Sequence, residues 1–351
     1  MEQASSQFVV DFPTTGFLAA DWIEAHCPIP TGFKRGQPFI MSDWQLWCTV
    51  NHYRVKPTAL WVPEQPVLAP AFHNRRSQVI APQKTGKGPW AATMTLNEAK
   101  GPALFAGWAR DGEAYECSVY DCDCGFVYEY DAGEPKGMPW PTPLIQLFAA
   151  SQEQVDNTYG PLREMVKLGP LAEFLRVGEE FTRIGEEGKI EAVTSSALSR
   201  LGNPITFAIW DETGTYTKTN KLKGVAKTAR RGLAGIGGRG IETSNAYDPA
   251  ENSTAQETYE ARAQDIFRFF RKPPESLKFK NARDRRKILK YVYEGSPWVD
   301  LDAIEAEALE LMEKDPEEAE RFYGNILVQG KGAWMPEGVW ESAESIAAAT
   351  V

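Results

Sequence analysis

The sequence predicts an α/β fold: a mainly parallel central sheet flanked by helices, with a small C-terminal lid subdomain. Two stretches carry this expectation. Residues 79–88 (VIAPQKTGKG) run from an apolar strand through a short Gly-Lys loop into a helix-compatible run. Residues 205–212 (ITFAIWDE) form a second apolar strand that ends in two carboxylates. Strands that read as near-continuous apolar runs, separated by helical segments, belong to parallel sheets covered on both faces.

Composition sets the bounds. A chain of 351 residues can bury a sizeable core, as one large domain or two smaller ones. Its net charge of −10 gives no global attraction to nucleic acid, so any such contact must come from a local basic surface. Five cysteines, an odd number, point to a reducing compartment. No apolar run approaches a membrane span, and residues 1–10 lack the pattern of a signal peptide. There is no internal repeat.

Taken in order, residues 17–27 (FLAADWIEAHC) have helical spacing and precede a Pro/Gly-rich turn at 28–38. Ser42 or Asp43 can cap a second helix carrying Trp44, Leu46, Trp47 and Val50. Gln45 reads either as a solvated amide beside a core aromatic or as an amide that pairs with both hydrogen-bonding edges of adenine. The strand at 77–81 then feeds the Gly-Lys loop. Backbone N–H groups at a helix start face an anion there, and Lys87 reaches terminal phosphates. The match to G-x-x-x-x-G-K-[ST] is imperfect, with Ala81 at the first glycine and Gly88 at the hydroxyl position.

Residues 102–108 read as a short buried strand, and 110–143 as an inserted hairpin holding Cys117, Cys122 and Cys124. Their C-x4-C-x-C spacing lacks the paired C-x2-C of common zinc modules, and no histidine lies nearby in the sequence. Reduced hairpin cysteines are therefore expected, with a metal site as the alternative. Residues 144–150 form a second central strand, a helix follows through 159–167, and 190–193 form another strand. A small-residue loop at 195–202 contains Arg200 and leads into the strand ending at Asp211 and Glu212.

Two carboxylates at the C-terminal edge of a parallel sheet sit where open α/β folds bind ligands. Asp211 suits magnesium, and Glu212 suits a base that orients and deprotonates the water attacking a γ-phosphate. Together with the Gly-Lys loop they predict a P-loop nucleoside triphosphatase. Past the acids, residues 216–232 carry Lys218, Lys221, Lys223, Lys227, Arg230 and Arg231 with no acid among them. Such a run is either a solvated helix face or a surface for the DNA backbone. Thr243, Ser244 and Asn245 follow a short strand and could sense a γ-phosphate. Residues 252–270 are expected as a long polar helix, 271–288 as basic and irregular, 291–293 as a strand and 302–314 as an acidic amphipathic helix.

In this order the segments FIMSDWQLW, VIAPQKTGKG, SSALSRLGNPITFAIWDETG, IETSNAYDP, GSPWVDLDAI and AERFYGNIL resemble the large terminase subunit of tailed bacteriophages. The resemblance covers almost the whole chain. It implies a P-loop fold of the ASCE, RecA-like type and an ATP-driven DNA-packaging motor with ATP and Mg2+ as cofactors. Gln45 would contact adenine; Gln83, Lys84, Thr85, Gly86, Lys87 and Gly88 would form the phosphate loop. Asp211 would serve the metal, Glu212 catalysis, and Thr243, Ser244 and Asn245 coupling, while Arg200 would reach a neighbouring subunit's nucleotide. Implied partners are double-stranded DNA, the small terminase subunit, the portal and procapsid, and further copies in a ring, a pentamer when assembled, in the host cytoplasm with no membrane contact.

Gly88 departs from the usual Ser/Thr, and Gln83 stands where the family often has arginine, with Lys84 beside it as a substitute charge. The expected division is a helical segment at 1–55, an ATPase core at 56–255 and a lid or linker at 256–351, with the family's nuclease domain not expected in this chain. Two other readings stay open: a helicase-like ATPase, distinguished by strand separation, and a non-hydrolysing scaffold, distinguished by absence of phosphate release on ATP titration.

Overall fold

The computed structural model describes residues 8–64, 69–179, 181–193 and 204–330. Two helices open it, α1 (Gly16–His26) and α2 (Asp43–His52). The first buries Leu18, Ala19, Trp22 and Ile23. The second starts after Ser42, whose backbone N–H donates to the Gln45 side chain at 3.0 Å and so satisfies a donor at the helix entrance. Strand β1 (Arg76–Ile80) is buried at every position and turns directly into α3 (Lys87–Lys100).

The insertion follows. Strand β2 (Leu104–Trp108) leaves the main sheet and pairs antiparallel with a later strand, β5 (Pro135–Met138). Between them β3 (Ala114–Glu116) and β4 (Val127–Glu129) make a hairpin of three-residue strands. The chain returns through β6 (Leu144–Phe148), α4 (Gln152–Leu168), β7 (Leu175–Val177), β8 (Phe181–Ile184), β9 (Gly188–Val193) and β10 (Phe207–Trp210). It ends, within the described residues, with α5 (Leu222–Ile236), β11 (Arg239–Ser244), α6 (Thr254–Glu260), β12 (Ile266–Phe270), α7 (Ala282–Val292), α8 (Leu301–Lys314) and α9 (Pro316–Phe322).

The eight-stranded sheet has the order β12-β1-β11-β10-β6-β9-β8-β7. From β12 to β9 all neighbours are parallel, and β8 and β7 add an antiparallel edge. The loop-bearing strand β1 and the acid-bearing strand β10 are thus separated by one strand, β11. Register puts Ile80 beside Ser244 and Trp210 beside Glu242, so the loop, the acids and Asn245 all emerge at the same C-terminal edge.

Three expectations are corrected. Residues 252–270 are not one helix: α6 stops at Glu260 and Ile266–Phe270 is an edge strand. That strand is held by packing remote in sequence, with Phe269 stacked on Trp44 and Phe267 edge-on to Trp47. Residues 271–288 are not irregular throughout, because Asn281 caps α7 by accepting from the N–H groups of Arg283 and Asp284. Tyr291 and Val292, expected in a strand, finish α7, where Ile288, Leu289 and Val292 fill a C-terminal core shared with α8 and α9.

Candidate nucleotide site

The loop between β1 and α3 is a tight turn held by its own side chains. Lys84 and Gly86 have φ of +65° and +91°, left-handed positions that turn the backbone into the α3 N-terminus. Thr85 ties the turn by donating its hydroxyl to Pro82 O at 2.8 Å. Lys87 is buried at 7% exposure, and its ammonium donates to Ala81 O at 2.7 Å, Pro82 O at 2.9 Å and Asn245 Oδ1 at 2.9 Å. Burial lowers its pKa from the ordinary lysine value, opposed by the charges of Glu212 and Asp211.

Across the loop, Asp211 accepts from Thr243 Oγ1 at 2.6 Å and from the Glu212 N–H at 3.1 Å. The Asn157 side chain, from α4, lies beside this carboxylate and favours its charged form. Glu212 sits at φ +54°, a left-handed turn that swings its side chain back toward β11, where Asn245 Nδ2 donates to Oε2 at 3.1 Å. Asn245 therefore joins the loop lysine through its oxygen and the second acid through its nitrogen. Burial raises the pKa of both acids; the Thr243 bond and then Lys87 oppose it at Asp211, and Lys87 opposes it at Glu212.

Gly88 has a packing reason. A Cβ at this position would lie 2.3 Å from the carbonyl oxygen of Asn157, so the close approach of α4 leaves no room for a serine or threonine. The same helix supplies the Asn157 amide to Asp211. The donor set present, a buried carboxylate ringed by Thr243 and Asn157, fits a magnesium-bearing phosphate group as polar ligands and water carriers.

Among solved structures, the large terminase of bacteriophage HK97 matches with a TM-score of 0.60 at 15% identity, over 89% of this chain and 55% of that chain. The chain has the large-terminase fold. In sequence it is similar to the Gene 13 proteins of Mycobacterium phage L5 and Mycobacterium phage D29, each 28% identical over 182 and 181 residues. Those matches take in 50% of this chain and 27% of each relative's own length. No family model matches the chain.

In this terminase fold the turn between α7 and α8 and the end of α9 pack on the loop. Trp298 Nε1 donates to Lys84 O at 3.1 Å, Ser296 donates to Thr85 O at 3.4 Å, and the Gln83 N–H donates to Phe322 O at 3.1 Å. Gln45 is 1% exposed, accepts from Ser42 N–H at 3.0 Å and donates to Gly86 O at 3.5 Å. Its amide thus touches the loop from α2, with both ends engaged by protein. Arg200 lies outside the described residues.

The basic run divides in two. Leu222, Val225, Ala226, Ala229 and Leu233 bury one face of α5 against the sheet. Lys223 and Arg230 flank that face and are not free: Lys223 pairs with Glu257 at 2.9 Å, and Arg230 pairs with Glu242 at 2.5 Å and donates to Thr258 at 3.0 Å. Both are corrected to structural ion pairs. Lys218, Lys221 and Arg231 remain exposed, as does Lys227, which lies 3.8 Å from the same Glu257 carboxylate. Asn157 and Trp298 had not been singled out from the sequence. Trp298 lies in a matching segment, GSPWVDLDAI, whereas Asn157 carries no local signal.

Proposed function

We propose that this chain is an ATPase that drives viral double-stranded DNA into a procapsid. The observation that carries the reading is the Asn245 amide, which joins Lys87 and Glu212 across the C-terminal edge of the sheet. In this reading Lys87 holds the β- and γ-phosphates and exchanges its bond to Asn245 for one to phosphate. Asn245 then positions Glu212, which takes the proton of the attacking water. Asp211, steadied by Thr243 and beside Asn157, is the carboxylate that would hold magnesium, which when bound would supply charge neutralisation. Positioning and charge neutralisation supply most of the rate in phosphoryl transfer.

Thr243, Ser244 and Asn245 end the strand between loop and acids, so a shift of Asn245 is passed along β11 to the elements packed on it. Gln45 is assigned to the adenine base, which would exchange for the amide's present bonds to Ser42 and Gly86, and Arg200 is assigned to a neighbouring subunit's nucleotide in a homo-oligomeric ring, a pentamer. Exposed Lys218, Lys221, Lys227 and Arg231 form the candidate DNA surface. The small terminase subunit and the portal of the procapsid complete the assembly, in the host cytoplasm. Among the described residues, no helix is long and apolar enough to cross a membrane.

The test is phosphate release by the purified chain. Glu212→Gln is expected to keep nucleotide binding and lose about 10²–10⁴-fold in turnover, whereas Lys87→Ala weakens binding. Turnover of Glu212→Gln equal to that of the parent overturns the assignment.

A further inference from the structure

The inserted hairpin and α1 meet at a second constellation that plays no part in nucleotide chemistry. His26, at the end of α1, faces Cys117, Cys122 and Cys124, and the four ligand atoms all lie within 4.8 Å of one another. His26 Nε2 is 3.1 Å from Cys124 Sγ, 3.5 Å from Cys117 Sγ and 3.8 Å from Cys122 Sγ. A tetrahedral zinc with Zn–S of about 2.3 Å and Zn–N of about 2.0–2.1 Å requires N···S edges of about 3.5–3.6 Å. The three measured edges bracket that value.

The imidazole is oriented for ligation. Nδ1 lies 2.7 Å from the Trp22 carbonyl oxygen, which can only accept, so Nδ1 carries the proton and the Nε2 lone pair faces the sulfurs. Trp22 stacks on the ring at 4.2 Å and Phe126 meets it edge-on at 5.7 Å, which fixes its plane. The hairpin gathers its thiols by a tight turn. Asp121 adopts φ +60°, and the Cys122 N–H returns to Cys117 O at 3.1 Å. The Phe126 N–H donates to Cys124 Sγ at 3.5 Å, as a backbone donor does to a thiolate. His26, Cys117 and Cys122 are buried, and Cys124 closes the site from the exposed side.

We propose that His26, Cys117, Cys122 and Cys124 bind one zinc ion as a structural Cys3His site. Three sulfurs and one imidazole in a near-tetrahedral array favour zinc over the oxygen-seeking magnesium of the nucleotide site. Four protein ligands leave no open position, so the ion is structural. The need for it is local: β3 and β4 are three residues each, and a two-stranded hairpin of that size is marginal alone. Zinc joins its turn to α1 across 91 residues of sequence between His26 and Cys117. This replaces the expectation of unligated hairpin thiols, since the histidine missing from the hairpin comes from a helix far upstream.

The experiment is metal analysis of the purified 351-residue chain by inductively coupled plasma mass spectrometry, with cobalt replacement. Stoichiometric zinc is expected, together with the visible d–d bands and the near-ultraviolet thiolate charge transfer of tetrahedral Co2+. Cys124→Ser, on the exposed side, should retain zinc more weakly against a chelator by more than the about 10–100-fold that loss of an outer-shell contact causes. Cys48→Ala, a buried cysteine outside the cluster, should keep the metal. Metal-free parent protein that takes up neither zinc nor cobalt overturns the proposal. So does a disulfide within the cluster, iron in place of zinc, or zinc retention indifferent to Cys124→Ser in folded protein.

Discussion

Restoring the phosphate-loop consensus at position 88 should harm this protein. In Gly88→Ser the new Cβ would lie 2.3 Å from Asn157 O and 3.2 Å from Asn157 C. A carbon–oxygen contact relaxes only at about 3.3 Å or beyond, so α4 must retreat by about 1 Å. A gap of that size forfeits about a quarter to a half of each dispersion contact along the facing surface. Overpacking of this kind costs about 1–3 kcal/mol. Because the obstacle is helix backbone rather than a mobile side chain, the upper half of that range is expected. Equilibrium urea unfolding of the parent, Gly88→Ala and Gly88→Ser measures it, and the alanine variant isolates the Cβ from the hydroxyl. Retreat of α4 also withdraws Asn157 from Asp211, so the serine variant should gain no magnesium-dependent ATPase activity. Both variants falling within about 0.5 kcal/mol of the parent, the spread of ordinary surface changes, would refute the packing argument.

Two further outcomes concern the opposite end of the sheet. Glu98 accepts from Arg239 at 3.2 Å, Tyr53 at 2.9 Å and Trp140 at 3.2 Å inside the core. Glu98→Ala leaves a buried guanidinium with its bonds to the His52 and Ala103 carbonyls but without its counter-charge, and should cost about 3–5 kcal/mol in urea unfolding, and Glu98→Gln less; a loss under about 1 kcal/mol for the alanine would contradict an ion pair here. His52, hydrogen-bonded to Ser77 at 2.8 Å, has its pKa lowered from 6.5 to about 4, by burial first and then by Arg239. The unfolded chain therefore takes up the proton first. Stability is full above about pH 6.5 and drains by up to about 3 kcal/mol as pH falls to about 4. His52→Gln should flatten that slope, and an unchanged slope would remove His52 as its source.

What the sequence made legible was local. The phosphate loop and the paired acids are each a strand, a turn and a few residues, so contiguous chemistry was enough to place them at one edge of a parallel sheet. The strand at Ile266–Phe270 was missed because its reasons lie elsewhere, in Trp44 and Trp47 more than 200 residues upstream. Tyr291 and Val292 have strand composition, but the C-terminal core around Leu289 takes them as helix. The inward fate of Lys223 and Arg230 was readable in principle. They flank the stripe of Leu222, Val225, Ala226, Ala229 and Leu233, while Lys227 and Arg231 fall on the opposite side. The pairing of His26 with the hairpin thiols was not readable from spacing, although a chain with only three histidines makes each worth tracing.

The departures from consensus in this loop are best understood as consequences of neighbours rather than as losses. Gly88 is demanded by the Asn157 carbonyl, and the helix that demands it also brings an amide to Asp211. Gly86 is held to a similar standard, since a Cβ there would meet Trp298 at 2.7 Å and its φ of +91° disfavours any side chain. One glycine thus admits α4 from below and the other admits the C-terminal helices from above. A consensus serine or threonine at position 88 would push against α4, whereas at position 86 the consensus residue is glycine itself. The loop is consequently enclosed by two elements that the phosphate-binding motif does not specify, and any motion of Trp298 or α4 must act on Lys84, Gly86 and Asp211 directly. A comparison of loop sequences alone finds at position 88 only a missing hydroxyl, where the helix packed against it accounts for the glycine.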